Sequence, residues 1–297
     1  MPPTLDQIAG EPGTFAILAM DQRGTLRRML DKAGQPSADH DLSDFKVDVI
    51  GALSPLASGV LTDVEYGAGP VRSAGALDPR AGLLIASERS PQPTWRGEHR
   101  TEYRGGERGP AFVAANGGAA LKFLVRWRPD RPAGAGEPDL AGEALDAVRA
   151  VVADCRAYGL PSVIEPLVTV HPDESADARR RLVIRSAELL AALDPDLLKL
   201  EWPGDADGCR EVSKVCGRVP WALLSAGVAY EEFVERVLTA MDAGASGYIA
   251  GRAFWGEAAG LAGDDRRRFL RTTAVDRMTA LNAAIEGHGR GWREVRS

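Results

Sequence analysis

The sequence is poor in lysine. Of its 36 basic residues only five are lysine, at positions 32, 46, 122, 199 and 214, so arginine supplies the other 31. Cysteine is scarce as well. Cys155, Cys209 and Cys216 are an odd number without CxxC spacing, which argues against a disulfide framework or a zinc ribbon and leads us to expect a reduced compartment. The four histidines, His40, His99, His171 and His288, are scattered with no ligand-like spacing, so no metal is expected. Positive charge is not in excess: the net charge is −6 and the pI about 5.4. That balance argues against a nucleic-acid or anionic-membrane partner. No apolar run approaches the roughly 20 residues needed to span a bilayer, and Met1-Pro2-Pro3-Thr4 lacks the basic and apolar segments of a signal peptide. A cytoplasmic protein is expected. Finally, no GxGxxG follows the first apolar run, which disfavours a doubly wound dinucleotide-binding sheet.

What is present is a chain of 297 residues, 44% of them hydrophobic, enough for one large core. Eight short apolar runs read as strands: Phe15 to Met20, Gly59 to Gly67, Gly82 to Glu88, Ala119 to Trp127, Ser162 to Val168, Asp196 to Pro203, Trp221 to Gly227, and Gly247 to Ala253. Helical spacing falls between most of them, over Asp41 to Ala57 (with Asp41 or Ser43 as a cap), Leu140 to Tyr158, Ser175 to Leu193 and Tyr230 to Ala243. Asp264 to Glu286 reads as a closing helix. Pro91 to Gly109, rich in Arg, Gly and aromatics, reads as a long loop, and a polar tail begins near 289. Eight strands alternating with helices over this length predict a single-domain α/β protein, a (β/α)₈ TIM barrel.

The most informative run is Asp196-Leu197-Leu198-Lys199-Leu200-Glu201-Trp202-Pro203. Its alternation puts Leu198 and Leu200 on one face, and Leu197, Lys199 and Glu201 on the other. Two charges on one face of a buried strand are costly unless that face opens into a polar site. The bland reading is a partly buried ion pair at a strand end; the sharper one is a catalytic amine. In a chain this rich in arginine, a lysine inside a strand suggests chemistry that guanidinium cannot supply, because Arg does not lose its proton. Lys122 also sits inside an apolar run, and Asp21, Glu65, Glu88, Glu165 and Glu201 all fall late in, or just after, their runs. Barrel active sites lie at these strand ends.

Ser225-Ala226-Gly227 and Gly251-Arg252 end the seventh and eighth runs, where barrels commonly bind phosphate. A lysine nucleophile must be neutral, and at an ordinary pKa of about 10.4 roughly one molecule in 2,500 is neutral at pH 7. Lowering that pKa to about 7 takes about 4.6 kcal/mol, for which burial and a second cation are the available means. Two lysines and a glutamate in one mouth suit Schiff-base chemistry on a ketone, with the iminium as electron sink.

These pieces resemble the class I tagatose-1,6-bisphosphate aldolase family, which also includes sulfofructosephosphate aldolases. The resemblance is carried, in order, by Ala19-Met20-Asp21-Gln22-Arg23-Gly24, Asp63-Val64-Glu65-Tyr66-Gly67, Leu121-Lys122-Phe123-Leu124 and Ile164-Glu165-Pro166-Leu167. It continues through Leu198-Lys199-Leu200-Glu201, Leu224-Ser225-Ala226-Gly227-Val228 and Gly251-Arg252-Ala253-Phe254-Trp255. It implies that Lys199 forms the Schiff base and that Glu165 is the general acid/base, with Asp21 and Lys122 in support. Ser225, Gly227, Gly251 and Arg252 would cradle the phosphate of dihydroxyacetone phosphate, and Gln22, Glu65 and Glu88 would complete the substrate site. No cofactor is implied beyond the covalent iminium; the partner is a phosphorylated sugar, and a homo-oligomer is compatible with the fold.

The chain departs from the pattern where the aldehyde half should sit. A lysine–threonine–glycine stretch is expected after Glu88, and Arg89-Ser90-Pro91 stands there. Trp95, Arg96, His99, Arg100 and Arg104 follow, and Arg126-Trp127-Arg128 ends the fourth run. Such arginines could hold a phosphate or sulfonate, although most are expected to be solvated. Trp202 replaces a smaller residue and is expected to narrow the pocket. Two other readings of the same residues stay open: a phosphate-binding isomerase or epimerase, and a non-catalytic sugar-phosphate sensor.

Overall fold

The computed structural model describes residues 3–297. Met1 and Pro2, in the segment read as lacking a leader, lie outside the described residues. Eight parallel strands close into a barrel: β1 (Phe15–Met20), β2 (Gly59–Thr62), β3 (Gly82–Ala86), β6 (Ala120–Trp127), β7 (Ser162–Val168), β8 (Leu197–Leu200), β9 (Trp221–Leu224) and β10 (Gly247–Ala250). The two remaining strands, β4 (Thr94–Trp95) and β5 (Glu98–His99), form a small antiparallel hairpin between β3 and β6. Each barrel strand pairs with its predecessor, and β10 closes on β1 from Phe15↔Gly247 to Leu18↔Ala250. The fold is therefore the TIM barrel expected from the eight apolar runs.

Strand alternation sorts the apolar side chains into two cores. Phe15, Ile17 and Ala19, with Leu61, Leu84, Ala86, Ala120, Val163, Leu197, Ala222 and Ile249, point inward and fill the barrel. Leu18, Met20, Val60, Leu121, Phe123, Ile164, Leu198 and Leu200 point outward and are covered by helices. Each buried Val, Leu, Ile, Phe or Met side chain contributes about 1.5–3 kcal/mol relative to exposure. At the N-terminal end of the strands, Leu5, Ile8 and Trp292 join the inner core as a plug. The tail read as polar is therefore anchored: Trp292 opens a short helix, Trp292–Arg296, and its N–H donates to the Gly13 carbonyl at 2.9 Å.

Several helix ends follow local chemistry. Ser175 caps the helix Ala176–Ala191 by accepting from the Ala178 N–H, and Gly159, at φ 84°, ends the helix Leu140–Tyr158. The helix expected from Asp41 begins two residues earlier, over Asp39–Leu53, because Asp41 reaches back to the Ala38 N–H at 2.8 Å. It passes into a 3₁₀ turn at Ser54–Leu56, where Pro55 cannot donate. The second run stops as a strand at Thr62, since the Asp63 carboxylate accepts from Tyr66 N–H and starts a π-helical turn, Val64–Ala68.

Candidate active site

On six strands the next inward position past the apolar core is charged. Asp21 follows Ala19, Asp63 follows Leu61, Glu88 follows Ala86, Lys122 follows Ala120, Glu165 follows Val163 and Lys199 follows Leu197, each two residues on. At this end the barrel opens into a cavity of about 830 Å³ lined by Asp21, Gln22, Glu65, Glu88, Lys122, Glu165, Lys199 and Arg252, among others. Eight of the eleven residues singled out in the sequence thus meet in one cavity.

Lys122 and Lys199 are both buried, but their surroundings differ. Lys122 Nζ lies 2.8 Å from Asp21, 2.8 Å from Glu165 and 3.2 Å from Glu88. Among the described residues, Lys199 has one carboxylate neighbour, Glu165, at 2.8 Å. Glu165 presents Oε2 to Lys122 and Oε1 to Lys199, so it bridges the two amines. Burial opposes charge on Lys122, but Asp21, Glu165 and Glu88 outweigh it and hold the ammonium well above the usual lysine range. Burial likewise opposes charge on Asp21 and Glu165. The ammonium groups of Lys122 and Lys199 outweigh that penalty and hold both carboxyls below the usual range. Lys122 is therefore a fixed cation among three anions.

Glu88 is saturated. It accepts from Arg23 at 2.8 Å, from Lys122 at 3.2 Å and from the Leu124 N–H at 3.1 Å. Arg23 passes the chain of charges on to Glu65 at 3.4 Å, which also takes Arg108 at 2.5 Å. Both glutamates line the cavity with their oxygens engaged by arginine, lysine or, at Glu88 Oε2, the Leu124 N–H.

The expected phosphate cradle is only partly assembled around this cavity. Arg252 lines it, whereas Ser225, Gly227 and Gly251 do not. Gly227, at φ 85°, packs under the Arg252 guanidinium, where an added Cβ would stand 3.0 Å from Cζ. Both residues border a neighbouring cavity of about 430 Å³. Gly251 is required by packing, because a Cβ there would fall 2.0 Å from the Ala19 carbonyl oxygen. Ser225 is buried at the end of β9.

Glu201 departs from the strand alternation, and Trp202 from the expectation that it narrows the pocket. β8 ends at Leu200, and Glu201 turns away to accept from the Val168 N–H at 2.7 Å and from Arg179 at 2.7 Å. Trp202 lies under the Arg236 guanidinium, 5.5 Å from its ring centroid, and does not line the cavity.

The long loop is largely ordered by ion pairs. Arg100 pairs with Glu143 at 2.7 Å, Arg131 with Glu98 at 2.8 Å, and Arg96 with Glu137 at 3.5 Å, so the β4–β5 hairpin is docked over the barrel mouth. Arg128 is likewise engaged by Glu174 at 2.6 Å. Arg126 and His99 instead line the cavity, and no carboxylate pairs with Arg126 among the described residues. Burial and the neighbouring Arg126 lower the His99 pKa below its ordinary value.

Two charged residues escape a reading centred on strand ends. Arg23, at the edge of a glycine-led helix, links Glu88 to Glu65. Lys46 is fully buried on the helical stripe Leu42, Phe45, Val49, Ile50, Leu53 and reaches Asp63 beneath the cavity. The available signal was its position in the 3.6-residue period, which puts it on the core face.

Among the described residues, no group of three His, Cys, Asp or Glu side chains is arranged to hold a metal ion, and no helix is long and apolar enough to cross a membrane. The family model described as "DeoC/LacD family aldolase" matches residues 15–257. A tagatose 1,6-diphosphate aldolase of Listeria monocytogenes is 29% identical over 325 aligned positions, covering 97% of this chain and 92% of its own. Tagatose 1,6-diphosphate aldolase 2 of Streptococcus agalactiae is 27% identical, with 98% and 96% covered. Among solved structures, a Schiff-base-forming fructose-1,6-bisphosphate aldolase superposes with a TM-score of 0.63 at 19% identity, covering 91% of this chain and 96% of that one. An archaeal fructose 1,6-bisphosphate aldolase does so with a TM-score of 0.65 at 18% identity, covering 93% and 98%.

Proposed function

This chain belongs to the DeoC/LacD aldolase family, and from that premise we propose that it cleaves a ketose 1-phosphate through an iminium on Lys199, giving dihydroxyacetone phosphate and an aldehyde. The observation that carries the reading is the unequal pairing of the two lysines around Glu165. Lys122 is held as a cation by three carboxylates, whereas Lys199 faces the cavity with Glu165 alone beside it.

In this mechanism Lys199 passes a proton to Glu165, and its neutral amine attacks the ketone carbon to form a carbinolamine. Glu165, within 2.8 Å of that amine, moves the protons that let water leave and the iminium form. Glu165, as the carboxylate, then takes the C4 hydroxyl proton as the C3–C4 bond breaks. The electron pair moves into the iminium, the aldehyde departs, and an enamine is left on Lys199. Protonation of the enamine at C3 and hydrolysis of the resulting iminium release dihydroxyacetone phosphate and restore the amine. Lys122 pairs with Glu165 and Asp21 and orients both, so that Glu165 takes and returns protons from a fixed position.

The same reading orients the substrate. Arg252 follows the eighth barrel strand and Arg126 lies on the fourth, on opposite sides of the mouth, and neither has a carboxylate partner among the described residues. A substrate with its 1-phosphate at Arg252, backed by the Ser225–Gly227 turn and Gly251, would send its far end to Arg126 and His99. A second anion there, phosphate as in tagatose 1,6-bisphosphate or sulfonate as in sulfofructose 1-phosphate, would meet a charge free to bind it. We assign the reaction to the cytoplasm, where the three buried, unbridged cysteines would stay reduced.

The test is a coupled assay for dihydroxyacetone phosphate, run with tagatose 1,6-bisphosphate and with the sulfonated ketose phosphate, each with chelator present. Turnover of at least one, undiminished by chelator, is the expected result. Isomerisation of the ketose with no triose phosphate formed would favour an isomerase and overturn the aldol reading.

A further inference from the structure

Lys46 is fully buried on the helix Asp39–Leu53, behind the barrel wall and outside the cavity. Its ammonium donates to the Met20 carbonyl at 2.7 Å, the Gln22 carbonyl at 2.8 Å and Asp63 Oδ2 at 2.5 Å. An ammonium has three N–H donors, so all are used. The two carbonyls belong to the residues immediately before and after Asp21. Holding both pins the chain on either side of Asp21, directly at the 20–21 peptide and one peptide further on at 22–23, and so restricts the direction of its Cα–Cβ bond. Thr62 Oγ1 reinforces the first peptide with a hydrogen bond to the Met20 carbonyl at 3.1 Å. Asp63 meanwhile caps Tyr66 N–H through Oδ1 at 2.8 Å, tying the next loop, with Glu65 and Tyr66, to the same clamp.

Stability alone is a weak reason for such a pair. Buried ion pairs can often be exchanged for apolar residues without loss, and an apolar side chain at 46 would simply continue the stripe of Leu42, Phe45, Val49 and Ile50. What an apolar residue could not do is hold two carbonyls on either side of a charged site residue. We infer that Lys46 is a positioning residue that aims the Asp21 carboxylate at Lys122, acting through the main chain without touching the substrate. The inference rests on the reading of Asp21 as a working carboxylate of the aldolase site.

The experiment is a double-mutant cycle on turnover. Lys46→Met with Asp63→Asn removes both buried charges together, and the amide oxygen at 63 can keep the cap on Tyr66. In the otherwise native enzyme, kcat should fall about 10- to 100-fold, as expected for a displacement of about 1 Å at a reacting group. KM should change by less than about 3-fold, since no substrate contact is lost. In an Asp21→Asn background the same pair of changes should cost less than about 3-fold, because the group being aimed has lost its charge. Equal losses in both backgrounds, or an unchanged kcat in the enzyme that retains Asp21, would overturn the inference. An Asp21→Asn enzyme with full kcat would overturn it together with the role given to Asp21. Failure of the Schiff-base reading shows elsewhere, as the absence of a borohydride-trapped adduct in the unmodified enzyme, and leaves the kcat comparison readable. If the double variant does not fold, Lys46→Gln, which keeps two N–H donors, is taken through the same cycle by the same criterion.

Discussion

The two ends of the barrel interior are built from the same strands with the same alternation, and they are chemical opposites. At the N-terminal end, Phe15, Ile17 and Leu84 stack under a plug of Leu5, Ile8 and Trp292, an apolar cluster. One or two steps further along the same strands, Asp21, Glu88, Lys122, Glu165 and Lys199 share a cavity. The apolar end is stabilised by burial itself. The charged end holds together only because each anion faces a cation, and isolated charges there would carry a desolvation cost of several kcal/mol. The lesson is that stability sits in the lower layers, which frees the upper layer to be selected for charge placement.

Four predictions break or sharpen that contrast. Lys199→Arg keeps the charge beside Glu165 but cannot give a neutral amine, so kcat should drop by about 10⁴-fold or more, equivalent to about 5.4 kcal/mol. Thermal unfolding, by contrast, should be nearly unchanged. A variant that retains turnover would remove Lys199 from the chemistry. Lys122→Met strips three buried carboxylates of their shared cation and should cost about 3–5 kcal/mol of stability at neutral pH.

The sign of its pH dependence follows from the carboxyl groups. With Lys122 present, Asp21 and Glu165 have depressed folded-state pKa values, so their contribution is present above the unfolded carboxyl pKa and is lost only as pH falls through the folded values. Without Lys122, burial dominates, and folded pKa values above the unfolded ones make stability fall as pH rises. The variant should therefore lose less at pH 5 than at pH 8 in parallel melts, and the reverse order would refute the charge balance described here.

At the apolar end, Trp292→Ala should lower stability by about 3 kcal/mol while leaving kcat nearly intact at temperatures where the protein stays folded. A large kcat loss there would show that the two ends are coupled. Arg126→Met should raise KM about 10-fold for a substrate with two anionic ends, the loss expected for one charge-assisted hydrogen bond. Dihydroxyacetone phosphate should still be trapped on Lys199. An unchanged KM would move the distal anion away from β6.

How much of this was legible in the sequence depends on the period of each element. Short apolar runs bounded by Gly and Pro marked the eight barrel strands, and counting in twos from Ala19, Ala86, Ala120, Val163 and Leu197 reaches five charged residues that line the cavity. The same count failed at Glu201, because the Val168 N–H and Arg179 hold its carboxylate away from the cavity. Lys46 was obscured for a different reason. On a helix, a lysine among apolar residues ordinarily snorkels to water, and it takes the carbonyls of Met20 and Gln22 together with the Asp63 carboxylate, all distant in sequence, to compensate its burial. The docked hairpin was hidden because Arg100 and Arg131 meet partners 43 and 33 residues away in sequence, Glu143 and Glu98. Gly251 was hard to read for a similar reason: its lack of a side chain is required by close packing on the Ala19 carbonyl, 232 positions away in sequence.

The central claim is that Lys199, not Lys122, is the nucleophile. The most direct measurement is to incubate the protein with dihydroxyacetone phosphate, reduce with borohydride, and locate the adduct by peptide mass spectrometry. The account predicts a single modified peptide carrying the adduct on Lys199, with Lys122 unmodified. An adduct on Lys122, or none at all when dihydroxyacetone phosphate is separately shown to bind, would contradict it.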